Sequence, residues 1–182
     1  QANADWATLK GIWRWASSVA AGLSLLLAAL GALAVWLLAH RFSDVQMATF
    51  LWGLALVPVL VLGRLRGAAL RGLRHVVAGQ LPETVLRPGA LLVLVLLVAI
   101  PGAAITPDRA MALHALAAGL AFVIGAALLG RVKPRETIQG TPRYDHRAWT
   151  AATLPLGLTA GMMLTTRQAD ILLLGLFVDA EE

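Results

Sequence analysis

The side chains in this sequence with the means to do chemistry are arginines set among apolar residues. Arg71, Arg74 and Arg87 lie in the stretch from Arg64 to Pro88, RLRGAALRGLRHVVAGQLPETVLRP. A second polar group, Thr165-Thr166-Arg167-Gln168-Ala169-Asp170, interrupts an apolar run near the end of the chain. A guanidinium keeps its charge and presents a planar fork of donors, so it grips phosphate or carboxylate bidentately. The chemistry these residues offer is therefore anion binding. Covalent catalysis is not on offer: there is no GxSxG, no HExxH, no phosphate-binding glycine loop and no paired carboxylates in a pocket-forming context. The reading is of a protein that is not an enzyme. With no Cys and four His scattered singly, neither a metal site nor a cofactor is expected.

Each candidate also has a plainer reading. Arg87 follows Leu81-Pro82-Glu83 and precedes Pro88 at the mouth of an apolar run. It either snorkels to the interface or lines a cavity for an anionic headgroup. Bulk lipid phosphates account for Arg71 and Arg74 as well as a specific ligand does. Arg167 and Asp170 are spaced i, i+3, so on a helix they can pair on one face, which lowers the cost of burying either. With Gln168 beside them they form a water-lined patch on one long helix, or else a short outer loop between two spans. His114, one turn inside its span, reads as hydrogen-bonded to a neighbouring helix.

The elements that must position these groups follow from composition. Hydrophobic residues make up 59% and charged residues 14% of the chain, where soluble domains carry roughly a quarter charged residues. The apolar residues come in blocks of membrane-spanning length. An all-α polytopic membrane protein of about five transmembrane helices is the fold expected. Formal net charge is +5, but the basic residues sit in loops between apolar blocks, so the partner is a lipid bilayer and not nucleic acid. The opening QANADWATLK has no apolar core of a signal peptide, and the chain stops just after an apolar run; it reads as an internal segment of a longer protein.

In order, Gln1 to Trp15 is a polar lead-in ending in an interfacial cluster, Lys10, Trp13, Arg14 and Trp15. Spans are expected at Trp15–Ala39, at Val45–Gly63 with Pro58 inside, at about Thr84–Ile105, at Ala110–Gly130, and from Trp149 towards Val178. His40–Asp44 and Thr106–Arg109 read as turns. Leu65, Ala69, Leu73 and Val76 fall on one helical face, which predicts a helix leaving the membrane and lying along its surface. Leu81-Pro82-Glu83 reads as a break, and Arg131–Arg147 as a linker rich in proline and basic residues. With five spans, Lys10, Arg14, Arg64, Arg66, Arg71, Arg74, Arg87, Arg131, Lys133, Arg135, Arg143 and Arg147 share one side, against Arg41 and Arg109 on the other. That bias puts the first group, and the N-terminal end, in the cytoplasm.

LRGAALRGLRHVVAGQLPETVLRP together with RAWTAATLPLGLTAGMMLTTRQADILLLGLF resembles bacterial polysaccharide biosynthesis membrane proteins. These are the oligosaccharide flippases of the multidrug/oligosaccharidyl-lipid/polysaccharide exporter superfamily. The residues that carry the resemblance are Arg71-Gly72, Pro82-Glu83 and Arg87-Pro88 in the first segment. In the second they are Trp149, Leu154-Pro155, and Gln168-Ala169-Asp170 leading to Gly175. The resemblance implies two six-helix lobes around a central cavity in the bacterial inner membrane. Residues 1–130 would be part of the first lobe, with the basic connection at 64–83. Residues 131–147 would be the cytoplasmic linker, and 148–182 the first helix of the second lobe.

The function so implied is movement of a polyprenyl-pyrophosphate-linked oligosaccharide, such as a lipopolysaccharide, O-antigen or capsule precursor, by alternating access. Arg71, Arg74, Arg87, Arg167, Gln168 and Asp170 are then substrate-binding residues, and glycan polymerase or ligase proteins are partners. Three other readings stand beside it. One is a cation-coupled multidrug exporter of the same superfamily, which calls for acidic residues in the first-lobe cavity; the spans offer only Glu83, at an entrance. Another is a non-transporting scaffold of a glycan-synthesis complex. The last is a membrane glycosyltransferase or ligase, which calls for a large polar loop the sequence lacks.

Overall fold

The computed structural model describes residues 6–100, 102, 104–132 and 141–177. Regular structure among them is entirely helical: α1 (Trp6–Leu37), α2 (Asp44–Gly72), α3 (Val76–Leu81), α4 (Arg87–Ala99), α5 (Pro107–Val132) and α6 (His146–Phe177). A 3₁₀ turn at Ala39–Arg41 follows α1, and a π-helical turn at Pro82–Leu86 joins α3 to α4 in one unbroken rod. Four rods are long and apolar enough to cross a membrane: Trp6–Leu37, Asp44–Gly72, Val76–Ala99 and Pro107–Val132. The protein is an all-α, multi-pass membrane protein. The segment expected as a fifth span is the helix α6, but its threonines and the Arg167–Asp170 group reduce its apolarity and it is not among those four.

Several boundaries differ from those expected, each for a local reason. The helix α1 already includes Trp6–Arg14, ahead of the predicted start at Trp15, because that stretch has no proline and Lys10 and Arg14 are good helix formers. Ser43 caps α2: its hydroxyl accepts from the Gln46 N–H at 3.3 Å while the Gln46 side chain accepts from the Ser43 N–H at 3.0 Å. That reciprocal pair is a capping box. From there α2 runs through Pro58 and past Gly63 to Gly72. Pro107 opens α5 instead of sitting in a turn, since its missing N–H is one the first helical turn leaves unpaired anyway.

The chain divides into two compact units, 1–142 and 143–182. In the first, α2 is central, with α1 on one flank and α5 and the α3–α4 rod on others. Small residues set the spacing. Gly31 lies against the Leu54 side chain, Gly53 against Met111, and Gly125 against the ring of Pro82. The buried apolar set is correspondingly small: Leu56, Leu70, Ala117, Ala118 and Ala121, with Leu70 fully enclosed. Lipid supplies no hydrophobic drive for helices to associate, so close backbone approach through Gly and Ala does this work. Large side chains such as Leu92, Leu97 and Val123 face outward, as a lipid-facing surface requires.

These contacts also align the ends of the helices. The end of α1 meets the start of α2 at Gly31 and Leu54, and the starts of α2 and α5 meet at Gly53 and Met111. The start of α1 and the end of α2 share a groove, and the end of α2 meets the later half of α5 at Arg66 and Phe122. Lys10, Arg14, Arg64, Arg71, Arg74 and Arg131 therefore gather at one end of the unit, and Arg41 and Arg109 at the other. The second unit is α6, led by Asp145, whose carboxylate accepts from the Ala148 N–H at 3.1 Å. Tyr144, His146 and Trp149 cluster there, with the Tyr144 and His146 rings stacked at 5.2 Å.

Candidate anion-binding site

The basic stretch does not form a separate helix: Arg64 to Gly72 continues α2, and the chain then folds back as α3. It is a helical hairpin, and its turn explains why. After Gly72 the chain closes α2 with two backbone bonds, Arg74 N–H to Arg71 O and His75 N–H to Leu70 O, both 2.9 Å. These belong to a Schellman cap, whose pivotal residue is Arg74 at φ +65°. The chain then returns as α3 alongside α2. Gly67 and Gly79, each six residues from Leu73, bring the two backbones together: a methyl on Gly67 would sit 2.6 Å from the Gly79 carbonyl oxygen, and one on Gly79 2.7 Å from that of Gly67. Gly63 and Glu83, each ten residues from Leu73, meet in the same register, with a Glu83 carboxylate oxygen 2.6 Å from where a Gly63 methyl would stand.

The returning arm passes through Pro82 without breaking. Proline has no N–H and its ring crowds the preceding turn, so an α-helix rarely continues through it. One widened turn follows it, in which the Arg87 N–H reaches the Pro82 carbonyl, a five-residue separation. Pro82 is buried against Gly125 of α5. Such π-turns recur at functional sites. The expected break at Leu81-Pro82-Glu83 is absent: Pro82 keeps helical dihedrals (φ −59°, ψ −42°), and Gly125 on the facing helix leaves room for its ring.

Two side-chain stripes face each other across the hairpin. Arg64, Gly67 and Arg71 lie at i, i+3, i+7 on α2; Gln80, Glu83, Thr84 and Arg87 fall at the same spacing on the return arm. Together these residues line a groove of about 520 Å³. Arg87 Nη1 donates to Glu83 Oε2 at 3.0 Å, and the two side chains are only 25% and 22% exposed. Thr84 Oγ1 donates to the Gln80 carbonyl at 2.9 Å. Arg64 and Arg71 have no ion-pair partner among the described residues. Three guanidiniums and one carboxylate leave the groove with an excess of two positive charges.

The groove lies at the end of an apolar run of membrane-spanning length. Val45 to Gly63 gives about 28 Å of helix at 1.5 Å per residue, close to the ~30 Å of a bilayer's hydrocarbon core. Arg64 and Arg71 come next along α2, while Arg87 lies roughly one turn nearer the middle of the apolar run than Arg64 by the hairpin register. A charge at that depth is costly unless paired. Glu83 supplies the pair.

The opposite side of α2 is apolar. Leu65, Ala69 and Leu73 share a face, as the periodicity predicts, and line a groove of about 290 Å³ with Ile12 and Trp13 of α1. Val76 does not join them, because it belongs to the return arm. Arg66 points towards α5: its guanidinium carbon stands 3.5 Å from the centre of the Phe122 ring, and Nη1 donates to the Phe122 carbonyl at 3.1 Å. It is a tie between helices through a cation–π contact, not a loop charge.

The sequence-predicted site residues thus separate. Arg71 and Arg87 come together in the groove. Arg74 is exposed in the turn, apart from it. Arg167 and Gln168 lie on α6 with Asp170, and their expected pairing concerns side chains outside those described. The His114 side chain has no hydrogen bond among the described residues. Arg64, Gln80 and Thr84 were missed, and Glu83 was placed at an entrance; the i, i+3, i+7 spacing of Arg64, Gly67 and Arg71 was the available signal.

The turn supplies a separate test. A non-glycine residue in the left-handed region costs about 1 kcal/mol. Arg74→Gly is expected to stabilise the protein by about that amount, seen as a higher midpoint of thermal unfolding in detergent, with anion binding unchanged.

No family model, curated protein or solved structure matches this chain.

Proposed function

We propose that the protein is a membrane transporter of anionic lipid-linked glycans, in which the hairpin groove receives the pyrophosphate that joins sugar to polyprenyl carrier. The single observation that carries this reading is the convergence of Arg64, Arg71 and Arg87 on one groove at the edge of the apolar spans. Guanidinium forks form strong, charge-assisted bonds to phosphoryl oxygens, and an excess of two positive charges complements a pyrophosphate diester. The polyprenyl tail stays in lipid while the headgroup is handled by the groove. The distribution of basic residues supports a cytoplasmic arginine-rich end, and in this reading the groove faces the side of the bacterial inner membrane on which lipid-linked precursors are assembled. Resemblance to the oligosaccharide flippases points the same way, with alternating access as the mode of transport. A cationic drug would be repelled by this groove, and a scaffold would not need it.

The test is transbilayer movement in proteoliposomes holding the full-length protein. A fluorescent polyprenyl-pyrophosphate sugar is expected to become accessible to an external quencher faster than in empty vesicles, and labelled phosphatidylglycerol is not. Equal movement of both lipids, or of neither, rejects the proposal.

A further inference from the structure

The geometry points to Glu83 as a built-in counter-ion that occupies Arg87 while the groove is empty and that an incoming phosphate must displace. The inference rests on the reading of the groove as an anion site, and it identifies what sets that site's affinity. Among the described residues Arg87 is the groove's one ion-paired guanidinium, and Glu83 is its partner at 3.0 Å. The second Glu83 oxygen is pressed against Gly63, where a side chain would collide with it. On its inner side Glu83 also lines a cavity of about 10 Å³, room for a single water, with Arg66, Gly67, Leu70, Pro82 and Phe122.

The charged groups around Glu83 are thus Arg64, Arg71 and Arg87 on the groove side and Arg66 on the inner side. The packed face of α5 contributes Ala121, Phe122 and Gly125, none of which titrates. A carboxylate so placed lowers the cost of holding Arg87 below headgroup level. The same contact makes Arg87 unavailable to any ligand that cannot outcompete an acid already in position. A doubly charged pyrophosphate can take Arg64 and Arg71 first and then Arg87, after which Glu83 retains Arg66 as a neighbouring cation. Removing the competitor should tighten binding only if Arg87 is there to be released.

The experiment measures binding of inorganic pyrophosphate to the full-length protein in phosphatidylcholine nanodiscs. Glu83→Gln is expected to tighten binding about tenfold, the scale of one charge-assisted hydrogen bond. The gain should vanish when Arg87→Gln is also present. A gain of equal size in the Arg87→Gln background overturns the inference, because Glu83 would then act only through its general field. Unchanged affinity in Glu83→Gln overturns it as well.

Wild-type protein gives a readout free of any folding defect: pyrophosphate should shift a carboxylate stretching band in the infrared difference spectrum, and no shift counts against displacement. Failure of the transport reading looks different. If Arg64→Gln with Arg71→Gln leaves pyrophosphate affinity intact, the groove is not the anion site and both ideas fall. If phosphatidylglycerol competes with pyrophosphate on equal terms, the groove serves bulk lipid; the carrier reading falls and the displacement of Glu83 stands.

Discussion

Protein carrying Arg64→Gln, Arg71→Gln and Arg87→Gln together is expected to bind inorganic pyrophosphate about 1,000-fold more weakly than the wild type, a loss near 4 kcal/mol. The two guanidiniums without ion-pair partners among the described residues, Arg64 and Arg71, should each contribute about tenfold when replaced singly, as hydrogen bonds to charged groups are worth roughly 1.5 kcal/mol or more. Arg87→Gln alone is expected to cost at least as much. It removes a donor and leaves the Glu83 carboxylate, now unpaired, facing the incoming anion. Lysine at the same three positions keeps the charge but loses the fork, so affinity should fall less than with glutamine and the dependence on salt should persist. Arg74→Gln is the control: its side chain stands in the turn outside the groove, and affinity should be unchanged. Equilibrium binding at two salt concentrations measures all of these.

Gly67→Ala is expected to destabilise the protein by about 2 kcal/mol, although alanine is a better helix former than glycine. The added methyl would meet the Gly79 carbonyl at 2.6 Å, and neither partner in that contact is a flexible side chain that can swing away. One backbone must retreat, and α2 and α3 separate. Gly67→Leu should do more damage, releasing the return arm and opening the groove. Gly72→Ala provides the comparison, since a methyl there meets nothing within 4 Å; it should be neutral or stabilising by up to ~1 kcal/mol. Thermal unfolding of the four proteins in one detergent distinguishes them, and equal midpoints for Gly67→Ala and Gly72→Ala would show that the two arms do not touch as described.

These expectations concern a part of the molecule that was only half legible before folding. The arginines stood out as chemistry in an apolar setting, and two of the residues chosen on that ground, Arg71 and Arg87, meet in the groove. Arg74 was chosen by the same reasoning and is excluded, because a left-handed turn holds it outside the hairpin. Glu83 was legible as an acid but was placed at an entrance; its i, i+4 spacing to Arg87 already allowed the pair, and the register against Gly63 is what sets that pair in the groove. Arg66 counts as a loop charge in any linear reading, yet it stacks on Phe122, fifty-six positions away along the chain.

Composition and periodicity by themselves determined that the chain is helical and multi-pass, because about 20 consecutive apolar residues have few alternatives to spanning a bilayer as a helix. They also determined that basic residues favour alternate connections, and that order of connections is what gathers them at one end of the bundle. Tertiary structure decided whether the basic stretch lies flat or folds back. That choice depends on Gly67 and Gly79 approaching at van der Waals range and on Gly125 leaving room for the ring of Pro82. No local pattern encodes such contacts, since each is a match of shape between residues distant in sequence, and shape is decided only when the helices meet.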